Sequence, residues 1–291
     1  MKCLCCGKDI DKNGENGWHK SCIKRFFGVA GLPEIEIDDV TLKKLADETV
    51  NSGFTVPGVQ KKLSLHLISE KKSPKLTIVN FPTGYILKPQ VTQYENLPEA
   101  EHLVMSMADI TGISTVPHAL IGNNGTYAYI TKRADRIINT DRVAMLAMED
   151  FCQLDLRLTQ DKYRGSYERC AKIIRKYSSR KGLDMTELYL RLLFSFVVGN
   201  SDMHLKNFSL IETEEGSGKY VLSPAYDLLP VNVIMPEDKE QFALAMNGKK
   251  MNLRRKDFMV FADECGISRT SAEKMIGLLV KKKEAFISMC R

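Results

Sequence analysis

The longest apolar stretch of the chain, LYLRLLFSFVV from Leu188 to Val198, ends at Gly199 and runs straight into a polar loop, GNSDMHLKNFSLI. This junction limits the fold more than any other feature. Interrupted by Arg191, the stretch falls well short of the roughly 20 residues that span a bilayer, so it is core material and not a membrane anchor. The loop behind it concentrates an aspartate, a histidine, a lysine and an asparagine at the end of that core segment. Asp202 and Asn207 stand in the D-x4-N spacing with which phosphoryl-transfer loops set a base beside the attacking hydroxyl and an amide oxygen on magnesium. A hard cation takes oxygen ligands, and a carboxylate acting on a hydroxyl proton must be near the metal without binding it.

That spacing alone is common by chance. A second carboxylate, Asp227 in LSPAYDLLP, follows twenty residues after Asn207 and adds the further ligand that such a magnesium site needs. His204 and Lys206 join the candidates for nucleotide contact; a structural role for His204 and neutralisation of Asp202 by Lys206 are the alternatives. Upstream, Lys88 interrupts an apolar strand pattern, YILKPQ, and Glu101 lies in the helical pattern that follows it. A strand lysine paired with a helix glutamate holds the α and β phosphates of ATP in kinases, with Glu99 as a competing partner here. The segment FTVPGVQKK lacks a G-x-G-x-x-G pattern but offers Gly58, Gln60 and Lys62 as phosphate contacts, and Thr55 and Ser64 as hydroxyls able to accept phosphate.

Four of the eight cysteines crowd into the first 22 residues, in CLCCGKDIDKNGENGWHKSC. Cys3, Cys6, His19 and Cys22 form a C-x2-C-x12-H-x2-C pattern, two close ligand pairs of the kind that tetrahedral zinc requires. Cys5 is spare and can replace Cys3 or Cys6. The IKRFFG that follows Cys22 reads as a short helix opened by the second ligand pair. A module this small has almost no core of its own, so a structural Zn2+ would supply most of its folding free energy.

At 291 residues, two lobes are expected about a cleft. With 44% hydrophobic and 27% charged residues, disorder and fibrous structure are excluded. The net charge of +6 is too mild to point to nucleic acid, and the basic runs at Lys249 to Lys256 and Lys281 to Lys283 read as solvated faces. The N-terminus shows no apolar leader segment, so a cytoplasmic protein is expected. TLKKLADETV (Thr41 to Val50) reads as a helix, Leu63, Leu65 and Leu67 as one face of a strand, and Leu97 to Ile110 as a helix stopped by Gly112. VPHALIG and YAYITKR read as strands, and the chain is mainly helical from Met148. The expectation is therefore an α+β, protein-kinase-like fold. It comprises a zinc module at 1–30, a β-rich N-lobe at 31–147 and a helical C-lobe at 148–291.

GVQKKLSL, ILKP, EAEHLVMSMA, ITKRADR, MEDFCQL, GNSDMHLKNFSL and SPAYDLLP occur in an order that resembles the HipA-type serine/threonine kinases of bacterial toxin–antitoxin systems. The resemblance runs from Gly53 to the C-terminus. It implies Asp202 as catalytic base, Asn207 and Asp227 as magnesium ligands, Lys88 on the nucleotide phosphates, and the backbone from Lys132 to Ala134 facing adenine. The family's autophosphorylated serine is matched by Thr55, and Ala134 stands where a large aromatic is common. It further implies ATP and Mg2+ as cofactors, a translation factor such as an aminoacyl-tRNA synthetase as protein substrate, and a HipB-like DNA-binding antitoxin. The cysteine module stands in place of the family's N-terminal subdomain, as in compact members that a separate small protein completes. Two other classes stay open: a kinase-fold scaffold that binds nucleotide without turnover, and a kinase acting on a small molecule.

Overall fold

A computed structural model describes residues 1–10, 14–36, 62–68, 74–77, 83–123, 125–138 and 143–291. The expected helix at Thr41 to Val50 lies outside the described residues, as do Thr55, Gly58 and Gln60. The chain divides into two compact units, Met1–His102 with Val116–Ala144, and Leu103–Thr115 with Met145–Arg291.

The first unit is built on a six-stranded sheet of β1 (Glu34–Glu36), β2 (Leu63–Ile68), β3 (Lys75–Thr77), β4 (Tyr85–Pro89), β5 (His118–Asn123) and β6 (Thr126–Lys132). Their spatial order is β1-β3-β2-β4-β6-β5. Only β1 and β3 run parallel; the remaining neighbours are antiparallel. Alternation does what it predicts in β2, where Leu63 and Leu65 are buried and Ser64 is exposed. β4 breaks the alternation: Lys88 is buried along with Leu87 and Pro89.

Helix α1 (Lys20–Phe27) follows His19 directly and ends at Gly28 in the left-handed conformation. Its inner face of Ile23, Phe26 and Phe27 does not close on a private core. With Trp18, Cys3 and Cys22 it joins Leu63, Leu65, Tyr85, Leu87, Ala119 and Ile130 in one cluster. Trp18 is fully buried and sits 5.6 Å from both Phe26 and Phe27, ring centroid to centroid. The boundary expected at residue 30 therefore does not fall at a break in packing. A short cysteine-rich segment has too little apolar material to bury by itself, and here it shares the core of the sheet.

Helix α2 (Leu97–Thr111) counts with the first unit through His102 and with the second from Leu103. β7 (Arg136–Ile138) pairs with β8 (Val143–Met145). The second unit opens with β9 (Met148–Asp150) and the short α3 (Phe151–Leu154), and continues through α4 (Tyr167–Tyr177) and α5 (Lys181–Val198). After these come β10 (Ser209–Glu212), β11 (Tyr220–Leu222), α6 (Val231–Ile234), α7 (Arg255–Glu264) and α8 (Arg269–Met289). The strands form a small antiparallel sheet in the order β11-β10-β9.

α5 is the apolar stretch of the sequence, and its interruption at Arg191 is accommodated internally. Arg191 is buried, with Nε donating to Glu187 at 2.9 Å and Nη2 to the Ser223 carbonyl at 2.7 Å. The helix stops at Gly199, whose φ of 70° is the left-handed cap that a glycine adopts without strain.

Candidate active site

The loop after α5 is pinned at several points. The Asn200 N–H returns to Ser195 O at 2.8 Å, and Leu205 N–H donates to Lys162 O at 3.1 Å. Tyr167 Oη donates to the Met203 carbonyl at 3.0 Å and Tyr226 Oη to the Lys206 carbonyl at 3.1 Å. These bonds satisfy backbone groups of an irregular segment and fix where its side chains point.

Within this loop Asn207 is buried and its Nδ2 donates to the Asp202 carbonyl at 3.0 Å, tying the two ends of the D-x4-N motif together. The Asp202 carboxylate accepts from Tyr163 Oη at 2.8 Å. Burial raises the Asp202 carboxyl from 3.8 to about 6, and the negative charges of Asp227 and Asp238 push the same way against the Tyr163 bond and Lys162. A carboxylate raised this far is ionised at neutral pH yet basic enough to take a hydroxyl proton. Asp227 sits in the left-handed backbone region, at φ 61°, just past the bridge between Thr115 and Ala225.

Lys206 is drawn elsewhere. Its Nζ pairs with Asp150 Oδ2 at 2.6 Å, so the carboxylate it neutralises belongs to the end of β9 and not to Asp202. His204 is buried, its Nδ1 has no hydrogen-bond partner, and burial followed by the nearby Lys162 charge lowers it to about 4. Its ring meets Tyr163 edge-on at 5.1 Å. A neutral, packed histidine is the structural reading of this residue.

In the first unit Lys88 Nζ lies 2.7 Å from Glu101 Oε1, with side chains only 5% and 0% exposed. The competition with Glu99 is resolved in favour of Glu101, because residues two apart on a helix point to different sides. Lys88 also stands over the Tyr129 ring at 5.5 Å. Lys62 is exposed, and Ser64 is exposed opposite Ile86 of β4. The Lys132 N–H donates to Pro117 O and the Arg133 N–H to Gly84 O, each at 3.0 Å. The Lys132 ammonium lies 5.7 Å from the Phe26 ring, and burial lowers its pKa. Ala134 follows directly after Arg133 in the turn between β6 and β7.

The cysteine segment gathers its four candidate ligands. The thiols of Cys3, Cys6 and Cys22 and a ring nitrogen of His19 all lie within 4.8 Å of one another. Cys6 Sγ is 3.5 Å and Cys22 Sγ 3.8 Å from His19 Nδ1. His19 Nε2 donates to the Asp9 carbonyl at 2.9 Å, which turns the Nδ1 lone pair toward the sulfurs. Burial opposes ionisation of Cys3, but bonds from the backbone of His19, Cys5 and Cys6 hold its thiol at about 7. Cys5, the spare, has Arg25 Nη2 at 3.9 Å from its sulfur.

Three contributors escaped the sequence. Tyr163, Asp150 and Asp238 reach the loop from 39 residues before Asp202, 56 before Lys206 and 37 after Ser201, whose Oγ donates to Asp238 at 2.7 Å. Tyr163 and Asp238 stand in no motif, and Asp150 lies in MEDFCQL without a role of its own there. No helix among the described residues is long and apolar enough to cross a membrane.

A β-sheet unit with a buried lysine–glutamate pair, joined in sequence to a helical unit bearing an aspartate–asparagine loop, defines a mixed α/β fold of the kinase-like class. The chain belongs to the HipA-like C-terminal domain family, which residues 54–286 match. It is 30% identical over 259 residues to the protein named "Putative kinase Y4mE" of Sinorhizobium fredii, covering 86% of this chain and 60% of that relative's length. A "Putative kinase" of Haemophilus influenzae is 26% identical over 80% of this chain and 73% of its own. Among solved structures, HipA in the Shewanella oneidensis complex of HipA, HipB and operator DNA superposes with a TM-score of 0.68 at 20% identity. That match covers 81% of this chain and 58% of the HipA chain.

Proposed function

We propose that the protein is an ATP- and magnesium-dependent serine/threonine protein kinase that acts as a HipA-like toxin on a host protein and also phosphorylates itself. The observation that carries this reading is the Lys88–Glu101 pair, 2.7 Å apart and almost fully withdrawn from water. A buried ion pair is a poor stabilising device, often bettered by apolar residues of the same volume. A kinase retains one because its lysine must be held, charged and oriented, for the nucleotide phosphates.

Asn207 and Asp227 would hold magnesium, which would supply positive charge to offset the negative charge of the nucleotide phosphates. Asn207 spends its Nδ2 on the Asp202 carbonyl, so Oδ1 is the atom it offers a cation. Asp202 accepts the proton of the serine or threonine hydroxyl as that oxygen attacks phosphorus, while Tyr163 holds the carboxylate in one orientation. The backbone from Lys132 to Ala134 is assigned to adenine, and Gly58, Gln60 and Lys62 to the triphosphate. Thr55 and Ser64 are assigned as autophosphorylation sites. An aminoacyl-tRNA synthetase or similar translation factor is the expected substrate class, in the cytoplasm and away from membranes and nucleic acid. A HipB-like antitoxin is the expected partner, supported by the complex in which the related HipA was solved. A second, small partner protein and a structural zinc ion on Cys3, Cys6, His19 and Cys22 complete the proposal.

The test is intact-mass spectrometry of the protein expressed alone beside Asp202→Asn. Whole phosphate increments on the parent that vanish in the variant support the kinase, and peptide mapping locates them at Thr55 or Ser64. Absence of phosphate from the parent and from every candidate protein or small-molecule acceptor, with ATP and magnesium bound, would establish the scaffold instead.

A further inference from the structure

Among the described residues, β5 stands at one end of the sheet of the first unit, with β1 at the other. An edge strand presents unpaired N–H and C=O groups, and folds generally cover or disrupt such an edge. At Leu120 both outward groups are taken. The Leu120 N–H donates to the Leu4 carbonyl at 2.8 Å, and the Leu120 carbonyl accepts from Trp18 Nε1 at 3.1 Å.

The two residues that make these bonds stand beside metal-ligand candidates. Leu4 follows Cys3, and Trp18 precedes His19. They also hold each other's strands in place, since Leu4 N–H donates to Gly17 O at 2.9 Å. Gly17 is at φ +84°, a backbone conformation that favours glycine over residues with a Cβ. One end of the clamp thus belongs to the Cys3–Cys6 pair and the other to the His19–Cys22 pair.

Tetrahedral zinc with thiolate and imidazole ligands sets its donor atoms roughly 3.5–4 Å apart. The 3.5 and 3.8 Å separations of Cys6 and Cys22 sulfurs from His19 Nδ1 match that spacing, and all four donors lie within 4.8 Å of one another. The row of residues across the sheet gives the clamp its reach. Leu120 of β5 is opposite Tyr129 of β6, and Tyr129 is opposite Lys88 of β4.

We infer that a zinc ion joining the two ligand pairs works as an edge clamp, closing β5 at Leu120 and so steadying the transverse row Leu120–Tyr129–Lys88. The inference rests on the zinc assignment of the preceding section and adds to it a mechanical role toward the residue assigned to nucleotide. Metal occupancy then governs the order of the sheet that carries Lys88.

The full chain provides its own reporter, because Trp18 is its only tryptophan. Metal content of the purified protein is measured by elemental analysis, and cobalt is exchanged in to read coordination from the visible spectrum. Zinc in equal amount to protein, a tetrahedral thiolate–cobalt spectrum, its retention in Cys5→Ser and its loss in Cys22→Ser are the expected results. Chelation of the wild-type protein should shift Trp18 emission to the red. It should also speed exchange of the Leu120 amide by about tenfold, the worth of one hydrogen bond, while the amides of α5 keep their rates. Zinc that can be removed with no change in Trp18 emission or Leu120 exchange would overturn the clamp and leave the metal site standing. Failure to take up zinc or cobalt would overturn both. Acceleration at α5 equal to that at Leu120 would mean that metal loss unfolds the whole chain, and the local clamp would be rejected.

Discussion

Replacing Asp202 with asparagine should stabilise the protein while removing its phosphoryl-transfer chemistry. The folded chain raises this carboxyl from 3.8 to about 6, chiefly by burial and further through Asp227 and Asp238. A rise of that size means that ionised Asp202 subtracts about 3 kcal/mol from folding at neutral pH. Asparagine keeps the shape and still accepts from Tyr163 Oη, but a neutral bond replaces a charge-assisted one, which returns about 1 kcal/mol. The net gain is about 2 kcal/mol, or about 3 °C in the thermal midpoint for a chain of this size. The sign with pH follows from the direction of the shift. A carboxyl raised in the folded state weakens folding progressively as pH rises from the unfolded value to the folded one, in full above the folded value and not at all below the unfolded one. Calorimetry of the two proteins should therefore show the widest gap at about pH 7 to 8 and none by about pH 4. A variant no more stable than the parent at neutral pH, or a gap that persists in acid, would refute the picture of Asp202 as a carboxylate held against its preference.

Lys88→Met strands the Glu101 charge in the interior and should destabilise the first unit by about 3–5 kcal/mol, while Lys88→Met with Glu101→Leu recovers most of the loss. Urea unfolding followed by Trp18 fluorescence reads both, and a double variant as weak as the single one would contradict the buried-pair argument. Tyr163→Phe removes a donor that favours ionised Asp202. The acid-side midpoint of the phosphorylation rate should move up by about one pH unit, with KM for ATP unchanged.

What the sequence made legible was chiefly local. Asp202 and Asn207 lie within one turn of loop, and Lys88 and Glu101 belong to adjacent elements. The strand pattern around Leu63 and Leu65 and the helix at Leu97–Thr111 followed from periodicity. Partners that arrive from far along the chain left no such trace. Tyr163 at Asp202 and Asp238 at Ser201 are brought in by tertiary packing, and a lone tyrosine or aspartate carries no spacing to announce it. The cysteine segment shows the same limit. Its ligand pattern was plain, but the contact of Trp18 with Leu120 spans 102 residues, and the shared core it belongs to could not be read from composition.

That long contact also sets an order of events at the ribosome. Trp18, Phe26 and Phe27 are made about a hundred residues before the end of the strand that bonds Leu4 and Trp18, which closes at Asn123. At roughly 5–20 residues per second, the interval between them is on the order of 5–20 s. Throughout that interval Leu4 and Trp18 lack the β5 backbone they bind, although β2 and β4, whose Leu63, Leu65, Tyr85 and Leu87 share their cluster, are made earlier. The cysteine segment is thus made early and completed late, since its bonds to Leu120 can form only after the strand that carries Lys88 has been made.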